Sequence, residues 1–353
     1  MEPVKVGVIG CGVIGHRNLQ SAQASELCEV VAAADLRIER RQWAAKEAKV
    51  PRVYEEGRDL LDEDEEVEAV IIAFPAGVRG AMALRALERG KHVMLEKPVA
   101  MNAFEVQEMI ERRGDLAVGC FSARYRAYES AQVATEFVAD GNLGAIREIY
   151  FRCFRPGGPP TGNTPPPWRE SFAQNAGGIL TNWSCYDLDH VLGIARWTFK
   201  PRTVLAQTWR CNEQFKYAVA AESDADAHFT ALAIGEDGTA LNIERAEFAA
   251  HEQNEVWEIV GDKGTLYLQM LATGERELVY DDGSNPEDGV VRKSLWKGDD
   301  REGGGTPWVI DDFCRAIRED RAPMTSLEQS LVLAQITDAI YESARTGDAV
   351  LID

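Results

Sequence analysis

Two patterns along the chain predict an α/β protein of two unlike domains. Over residues 1–121, buried strand-like runs alternate with helical stretches, as in a doubly wound parallel sheet. Over residues 122–353, long strand-like runs follow one another with few helices between them. That is the pattern of an α+β domain with a large, mostly antiparallel open sheet. A chain of 353 residues is long enough for two domains, each with its own core.

The first strand sets the reading. Val4, Val6, Val8 and Ile9 form a short apolar run with the density of a strand buried on both faces. It ends at Gly10-Cys11-Gly12-Val13-Ile14-Gly15, a G-x-G-x-x-G turn. The first glycine allows the tight turn and the second lets the backbone approach a pyrophosphate. The third lets the next helix pack closely, its free N–H groups aimed at the phosphates. A second run, Val30 to Ala34, ends on Asp35, about 20 residues beyond the last glycine, where a carboxylate binds the ribose hydroxyls of a dinucleotide. An acid there repels a 2′-phosphate and favours NAD over NADP. Arg37, just past the strand, is the residue that would instead accept that phosphate.

The alternation continues in order. Glu39 to Lys49 is helical and closed by Pro51, and Val67 to Phe74 is a buried strand broken at Pro75. Gly80 to Arg89 is a helix closed by Gly90. His92 to Leu95 is a strand ending at Glu96-Lys97-Pro98, Ala103 to Arg113 a helix, and Leu116 to Phe121 a last strand. Phe74, Pro75, Glu96 and Lys97 therefore fall at strand ends on the sheet's C-terminal edge, where such folds bind ligands, and are expected to contact the cofactor with the glycine loop. Tyr125 to Ala139 reads as a helix. Strands are expected at 146–154, 201–212, 226–234, 239–248, 255–260 and 265–269, and helices at 308–318 and 327–346. The stretch 156–167 holds six of the 14 prolines and reads as a loop.

Composition narrows the function. Hydrophobic residues make up 45% and charged residues 27%, as in an ordinary soluble protein, and the net charge of −20 disfavours nucleic acid or an anionic membrane surface as partner. No apolar run is long enough to span a membrane. The amino terminus enters the first strand without a signal-peptide pattern, so the cytoplasm is the expected compartment. Seven scattered cysteines without a C-x-x-C pair point to reduced thiols, and no metal site is expected.

With Glu96-Lys97-Pro98 placed after HVML, the chain resembles the Gfo/Idh/MocA oxidoreductases, which include inositol dehydrogenases and glucose–fructose oxidoreductase. The resemblance rests on VIGCGVIG, Asp35, GKHVMLEKPVA, Arg124-Tyr125 with the later GNLGAIREI, and Trp168-Arg169. It extends through AGGILTNWSCYDLDH, VGDKGTLYL and SARTGDAVLI, almost end to end. It implies that Lys97 lies near the nicotinamide and the reacting hydroxyl. Against the family pattern G-G-G-x-L-x-D-x-G-x-H-x-x-D, this chain has Ala176 for the first glycine, Asn182 for the first aspartate, Ser184 for a glycine and Tyr186 for the histidine. Asp189 keeps the final acid.

These residues suit oxidation of a secondary alcohol, in which the cofactor takes the hydride and the protein moves the proton. Lys97 and Tyr186 are the expected acid–base pair. On a regular helix Asn182, Tyr186, Asp189 and His190 would share a face, with His190 able to inherit part of the missing histidine's role and Asp187 off that face. Arg124, Tyr125, Trp168 and Arg169 join Lys97, Asn182 and Tyr186 as expected substrate contacts, an aromatic face and a guanidinium being suited to a polyhydroxylated ring. The expected activity is an NAD-dependent dehydrogenase acting on a sugar, sugar derivative or cyclitol. An NAD-dependent glycosidase without net redox change and a ligand-sensing regulator are the alternatives. A homodimer or homotetramer is expected, formed through the open face of the second sheet.

Overall fold

The computed structural model describes residues 1–162, 164–271, 274–300 and 305–352. Asn163, inside the proline-rich loop, lies outside the described residues. The chain forms two compact units: Met1–Arg124 with Gly305–Leu331, and Tyr125–Gly304 with Val332–Asp353. Where the sequence predicts one boundary after residue 121, the segment Gly305–Leu331 thus returns to the first unit.

In the first unit the strands are β1 (Val4–Ile9), β2 (Cys28–Ala34), β3 (Arg52–Tyr54), β4 (Ala69–Ile72), β5 (His92–Leu95) and β6 (Val118–Cys120). The helices are α1 (Val13–Ala24), α2 (Ile38–Lys46), α3 (Gly57–Glu63), α4 (Ala76–Glu88) and α5 (Ala103–Arg112). The sheet order is β3-β2-β1-β4-β5-β6, with all described pairs parallel. Strand order reverses between β1 and β4, so a crevice opens at their C-terminal ends. The β4 residues are all buried, which is why the strand reads as a continuous apolar run rather than an alternating one. The returning segment docks through Arg318, whose Nη1 donates to Glu68 Oε1 at 2.7 Å, and through the Cys120 N–H, which donates to the Thr325 carbonyl at 3.2 Å.

The second unit carries α6 (Glu129–Ala139), β7 (Ile146–Pro156), α7 (Phe172–Asn175), α8 (Cys185–Ile194), β8 (Pro201–Trp209), β9 (His228–Gly235) and β10 (Ala240–Ala249). It continues with β11 (Asn254–Gly261), β12 (Gly264–Leu268), β13 (Glu275–Asp282) and β14 (Val291–Asp299). After α9 (Thr306–Glu319) of the first unit come α10 (Leu327–Thr346), which enters the second unit at Val332, and β15 (Val350–Leu351). The nine strands run β14-β13-β12-β11-β7-β10-β9-β8-β15, antiparallel except where β10 lies parallel to β7.

Alternation decides which face is covered. Ile149, Phe151 and Cys153 of β7, Leu241 and Ile243 of β10, and Trp257 and Ile259 of β11 form one core with Leu188, Val191 and Leu192 of α8 and Ile336 and Ile340 of α10. Residues of opposite parity, including Leu205, Leu232 and Ile234, stay exposed on the other face. The strands β3, β13, β14 and β15 and the helix α3 are absent from the sequence-based expectation. Strand β14 shows why: it lies at the sheet edge and its residues Val291 to Ser294 are exposed, so no buried period marks it.

Candidate cofactor and substrate sites

The glycine loop after β1 is shaped as a cradle. Gly10 has φ +94°, and a Cβ there would lie 2.8 Å from the Ala73 carbonyl oxygen; a Cβ on Gly15 would lie 1.7 Å from the Gly10 carbonyl oxygen. Only hydrogen at these positions lets α1 close on β1 and β4. Gly12 precedes α1 with no side-chain cap, so the first N–H groups of the helix remain open to a phosphate. Apolar side chains stand exposed just beyond β1, β2 and β4: Val13 (80%) at the start of α1, Leu36 (67%) in the turn after β2 and Val78 (62%) in the first turn of α4. Ile14 is the second residue of α1, and the Phe74 ring borders Gly10, 3.2 Å from the position its Cβ would take. Pro75 caps α4. This loop, its open helix end and its apolar border fit a dinucleotide.

Asp35 is buried at the end of this crevice. Its Oδ2 accepts from the Cys11 N–H at 2.8 Å and from Arg40 Nη1 at 3.2 Å, and its Oδ1 accepts from the Arg37 N–H at 2.9 Å. The Arg37 side chain instead faces Glu39 at 3.7 Å and is exposed. The guanidinium on Asp35 is therefore that of Arg40, which also borders Gly12 at 3.3 Å from its ideal Cβ. Sequence reasoning missed Arg40; a signal was present, since it lies one helical turn beyond Arg37. Burial pushes the Cys11 thiol up to about 12, so the backbone of Cys11, not its sulfur, serves the loop.

At the end of β5, Glu96 is buried. It accepts from Asn18 Nδ2 at 2.9 Å, lies 3.5 Å from Arg124 Nη2, and accepts the Lys97 N–H at 3.2 Å. Its carboxylate thus ties the Lys97 backbone to the Asn18 amide and lies beside the Arg124 guanidinium. Arg79 of α4, buried and unforeseen, donates to the carbonyls of Phe74, Glu96 and Pro98 and so ties the turns after β4 and β5 together. The Lys97–Pro98 peptide is cis and Lys97 is half-buried.

In the second unit the segment that carries Asn182, Tyr186, Asp189 and His190 is not one regular helix. A single π turn spans Leu180–Ser184 before α8 begins. Its i→i+5 bonds widen the helix, a feature frequent at functional sites. Asp226 holds the entry to this turn: its carboxylate accepts the Gly178 and Leu180 N–H groups at 2.8 and 3.0 Å and the Tyr341 hydroxyl at 2.7 Å. Asn182 lines a cavity with Arg169, Glu170, Cys211, Asp226 and Glu247. Tyr186, buried, packs edge-on against Tyr125 (5.1 Å) and Trp183 (5.7 Å).

Asp189 and His190 do not share that setting. Asp189 is fully buried and accepts from Arg126 Nε at 2.6 Å. His190 is buried, with neither ring nitrogen in a well-formed hydrogen bond among the described residues; burial first, then Arg276 and Arg126, push its pKa down to about 3, against a smaller opposing effect of the Tyr125 backbone. Both side chains thus belong to the interior beneath the helix. Asp187, fully buried, accepts from Arg245 Nη1 at 2.6 Å and Trp257 Nε1 at 2.9 Å. Trp168 sits in a one-turn 3₁₀ segment after the prolines, 39% exposed. Among the described residues, no cluster of three His, Cys, Asp or Glu residues could hold a metal. No described helix is long and apolar enough to cross a membrane.

Comparison with known proteins agrees with this geometry. Residues 4–119 match the model of the oxidoreductase family with an NAD-binding Rossmann fold, and residues 131–267 match the Gfo/Idh/MocA C-terminal domain. The chain is 27% identical to D-xylose 1-dehydrogenase (NADP(+)) 2 of Haloferax volcanii, over 98% of this chain and 99% of that one. It is 24% identical to scyllo-inositol 2-dehydrogenase (NAD(+)) of Bacillus subtilis, over 76% and 74%. An uncharacterized oxidoreductase, ORF334 of Rhizobium meliloti, is 33% identical, but the match spans less than half of either chain, 42% and 45%. Levoglucosan dehydrogenase, solved in complex with NADH and levoglucosan, superposes with a TM-score of 0.83 at 22% identity, over 99% of this chain and 100% of that one. The cradle, Asp35 and the two family matches together place the chain in the Gfo/Idh/MocA family, as an NAD-binding oxidoreductase.

Proposed function

We propose that the protein oxidises a secondary hydroxyl of a sugar, sugar derivative or cyclitol, with NAD as acceptor. The observation that carries this reading is the dinucleotide cradle with Asp35 at its end, in a chain that matches both domains of the family. Beside the π turn, a small cavity lined by an amide (Asn182), a guanidinium (Arg169) and a carboxylate (Glu247) adds the donor and acceptor mixture that suits hydroxyl groups. The names of the relatives, acting on xylose, inositol and levoglucosan, support the same substrate class.

Bound NAD supplies the hydride acceptor. The chain supplies the rest. Lys97, held at the end of β5 by the anchored Glu96, and Tyr186, fixed between Tyr125 and Trp183, are assigned to the hydroxyl proton. Asn182 orients the sugar, while Asp189 and His190 support α8 from within.

The test is a screen of sugars and cyclitols for NADH formation, followed by Lys97→Met and Tyr186→Phe on the best substrate. Each variant should bind NADH as the wild type does and lose turnover by about 10²–10⁴, the usual contribution of one general acid–base. Full activity in both variants would remove the assignment. Turnover of a glycoside with no accumulation of NADH would move the protein to the transient-oxidation class.

A further inference from the structure

Three guanidinium–carboxylate couples surround the π turn. Arg245 and Asp187, both fully buried, form the innermost, and the Arg245 guanidinium carbon lies 4.9 Å from the Trp183 ring centre. At the end of β7, Arg155 Nη2 donates to Glu255 Oε1 at 2.9 Å, and the Arg155 guanidinium lies 5.9 Å from the same ring. Arg169 faces Glu247 at 3.9 Å in the cavity that Asn182 lines. Each positive charge is therefore matched by its own acid. Glu170 and Asp226, which accept backbone N–H groups, add two further carboxyl groups to the cavity lining.

The couples nevertheless keep hydrogen-bonding capacity. Arg155 Nε is buried and has no partner among the described residues. The 3.9 Å between Arg169 and Glu247 is too long for a direct hydrogen bond, so a group that both donates and accepts can bridge them. A hydroxyl is such a group. A carboxylate or phosphate only accepts, and beside these couples it meets an acid wherever it meets a guanidinium.

We propose that the substrate is an uncharged polyol whose hydroxyls are read by the Arg155–Glu255 and Arg169–Glu247 couples, and that sugar acids and phosphorylated sugars are excluded. This rests on the oxidoreductase reading above and narrows its substrate class.

The experiment compares kcat/KM with NAD for neutral aldoses and cyclitols against the matching sugar acids and sugar phosphates. Neutral members should exceed their charged counterparts by about 10²-fold or more. Glu255→Gln and Glu247→Gln each strip a guanidinium of its counter-charge. Each should narrow that ratio by about tenfold, chiefly through KM, with NADH affinity unchanged. Glu247, in the looser couple, keeps the test available if Glu255→Gln does not fold. Charged substrates used as well as neutral ones, or Gln variants that leave the ratio unchanged, would overturn the proposal while leaving the oxidoreductase reading intact. NADH from neither series would instead overturn that reading.

Discussion

Asp35 shows how much one carboxylate carries. It holds the Cys11 N–H of the glycine loop and the Arg37 N–H, and it keeps Arg40 at 3.2 Å. Hydrogen bonds to a charged group contribute about 1.5–3 kcal/mol, so Asp35→Ser should shift the NADH to NADPH affinity ratio toward NADPH by roughly tenfold or more. Fluorescence titration of the two reduced cofactors measures this, and tighter NADPH binding by the wild type would sink the assignment of Asp35. Ala176 stands in the left-handed region at φ 61°, ψ 14°, a conformation that favours glycine. The conformation costs a side-chain-bearing residue about 1–2 kcal/mol, partly offset by the greater chain entropy of glycine when unfolded. Ala176→Gly should therefore raise stability by about 0.5–1 kcal/mol in urea unfolding. His190 adds a pH dependence. Its folded pKa of about 3 lies below the ordinary 6.5, so the unfolded chain binds the extra proton in that window. Its contribution is complete above 6.5 and is lost as pH falls toward about 3. His190→Gln should flatten that acid limb in unfolding measured across the window, and an unchanged slope would show that His190 does not titrate this way.

At the scale of elements, the π turn and α8 are held from opposite ends. Asp226 binds the free N–H groups entering the turn, and Asp187 locks the first turn of α8 to β10 and β11 through Arg245 and Trp257. Breaking a buried ion pair from one side leaves an uncompensated charge and costs about 3–5 kcal/mol. Asp187→Ala should lose about that much in chemical denaturation. The double variant Asp187→Leu with Arg245→Met should lose distinctly less, because no buried charge is left alone. Equal losses in the two would mean that packing, not charge, explains the coupling.

For the whole molecule, the uncovered face of the nine-stranded sheet carries Leu205, Trp209, Leu232 and Ile234, exposed by 52, 45, 44 and 37%. Leu205 lies directly opposite Leu232 in the β8–β9 register, so these side chains adjoin. Neighbouring apolar side chains on one open face call for a cover, and a second copy of the chain meeting it face to face is the expected one. Light scattering at micromolar concentration should give a dimer or tetramer mass, and Leu205→Glu with Leu232→Lys should reduce it to the monomer. A monomeric wild type would refute the interface.

How much of this was legible beforehand depended on whether the signal was local. The glycine turn, Asp35, the strand before Glu96-Lys97-Pro98 and the helix over 327–346 are each written in adjacent residues, because a buried parallel strand and a positive-φ turn constrain neighbours in the chain. The buried face of β7 and its partners was readable for the same reason, through alternation of period two. Other features had no local trace. Edge strand β14 is polar because one side of it has no neighbour to bury against. Arg245 looks like a surface arginine until Asp187, 58 residues earlier, meets it in the core. Nothing next to Glu96 in the chain shows that its Oε1 meets Asn18, 78 residues earlier, and Arg124, 28 residues later. Asn182 and Tyr186 were placed on one regular helix because the π turn is set by Asp226, a carboxylate 44 residues beyond Asn182 in sequence. Local pattern and period thus determined the fold class and the cofactor loop, whereas charge pairing between residues far apart in the chain, visible only once the sheet is formed, decided which polar residues are held in the interior.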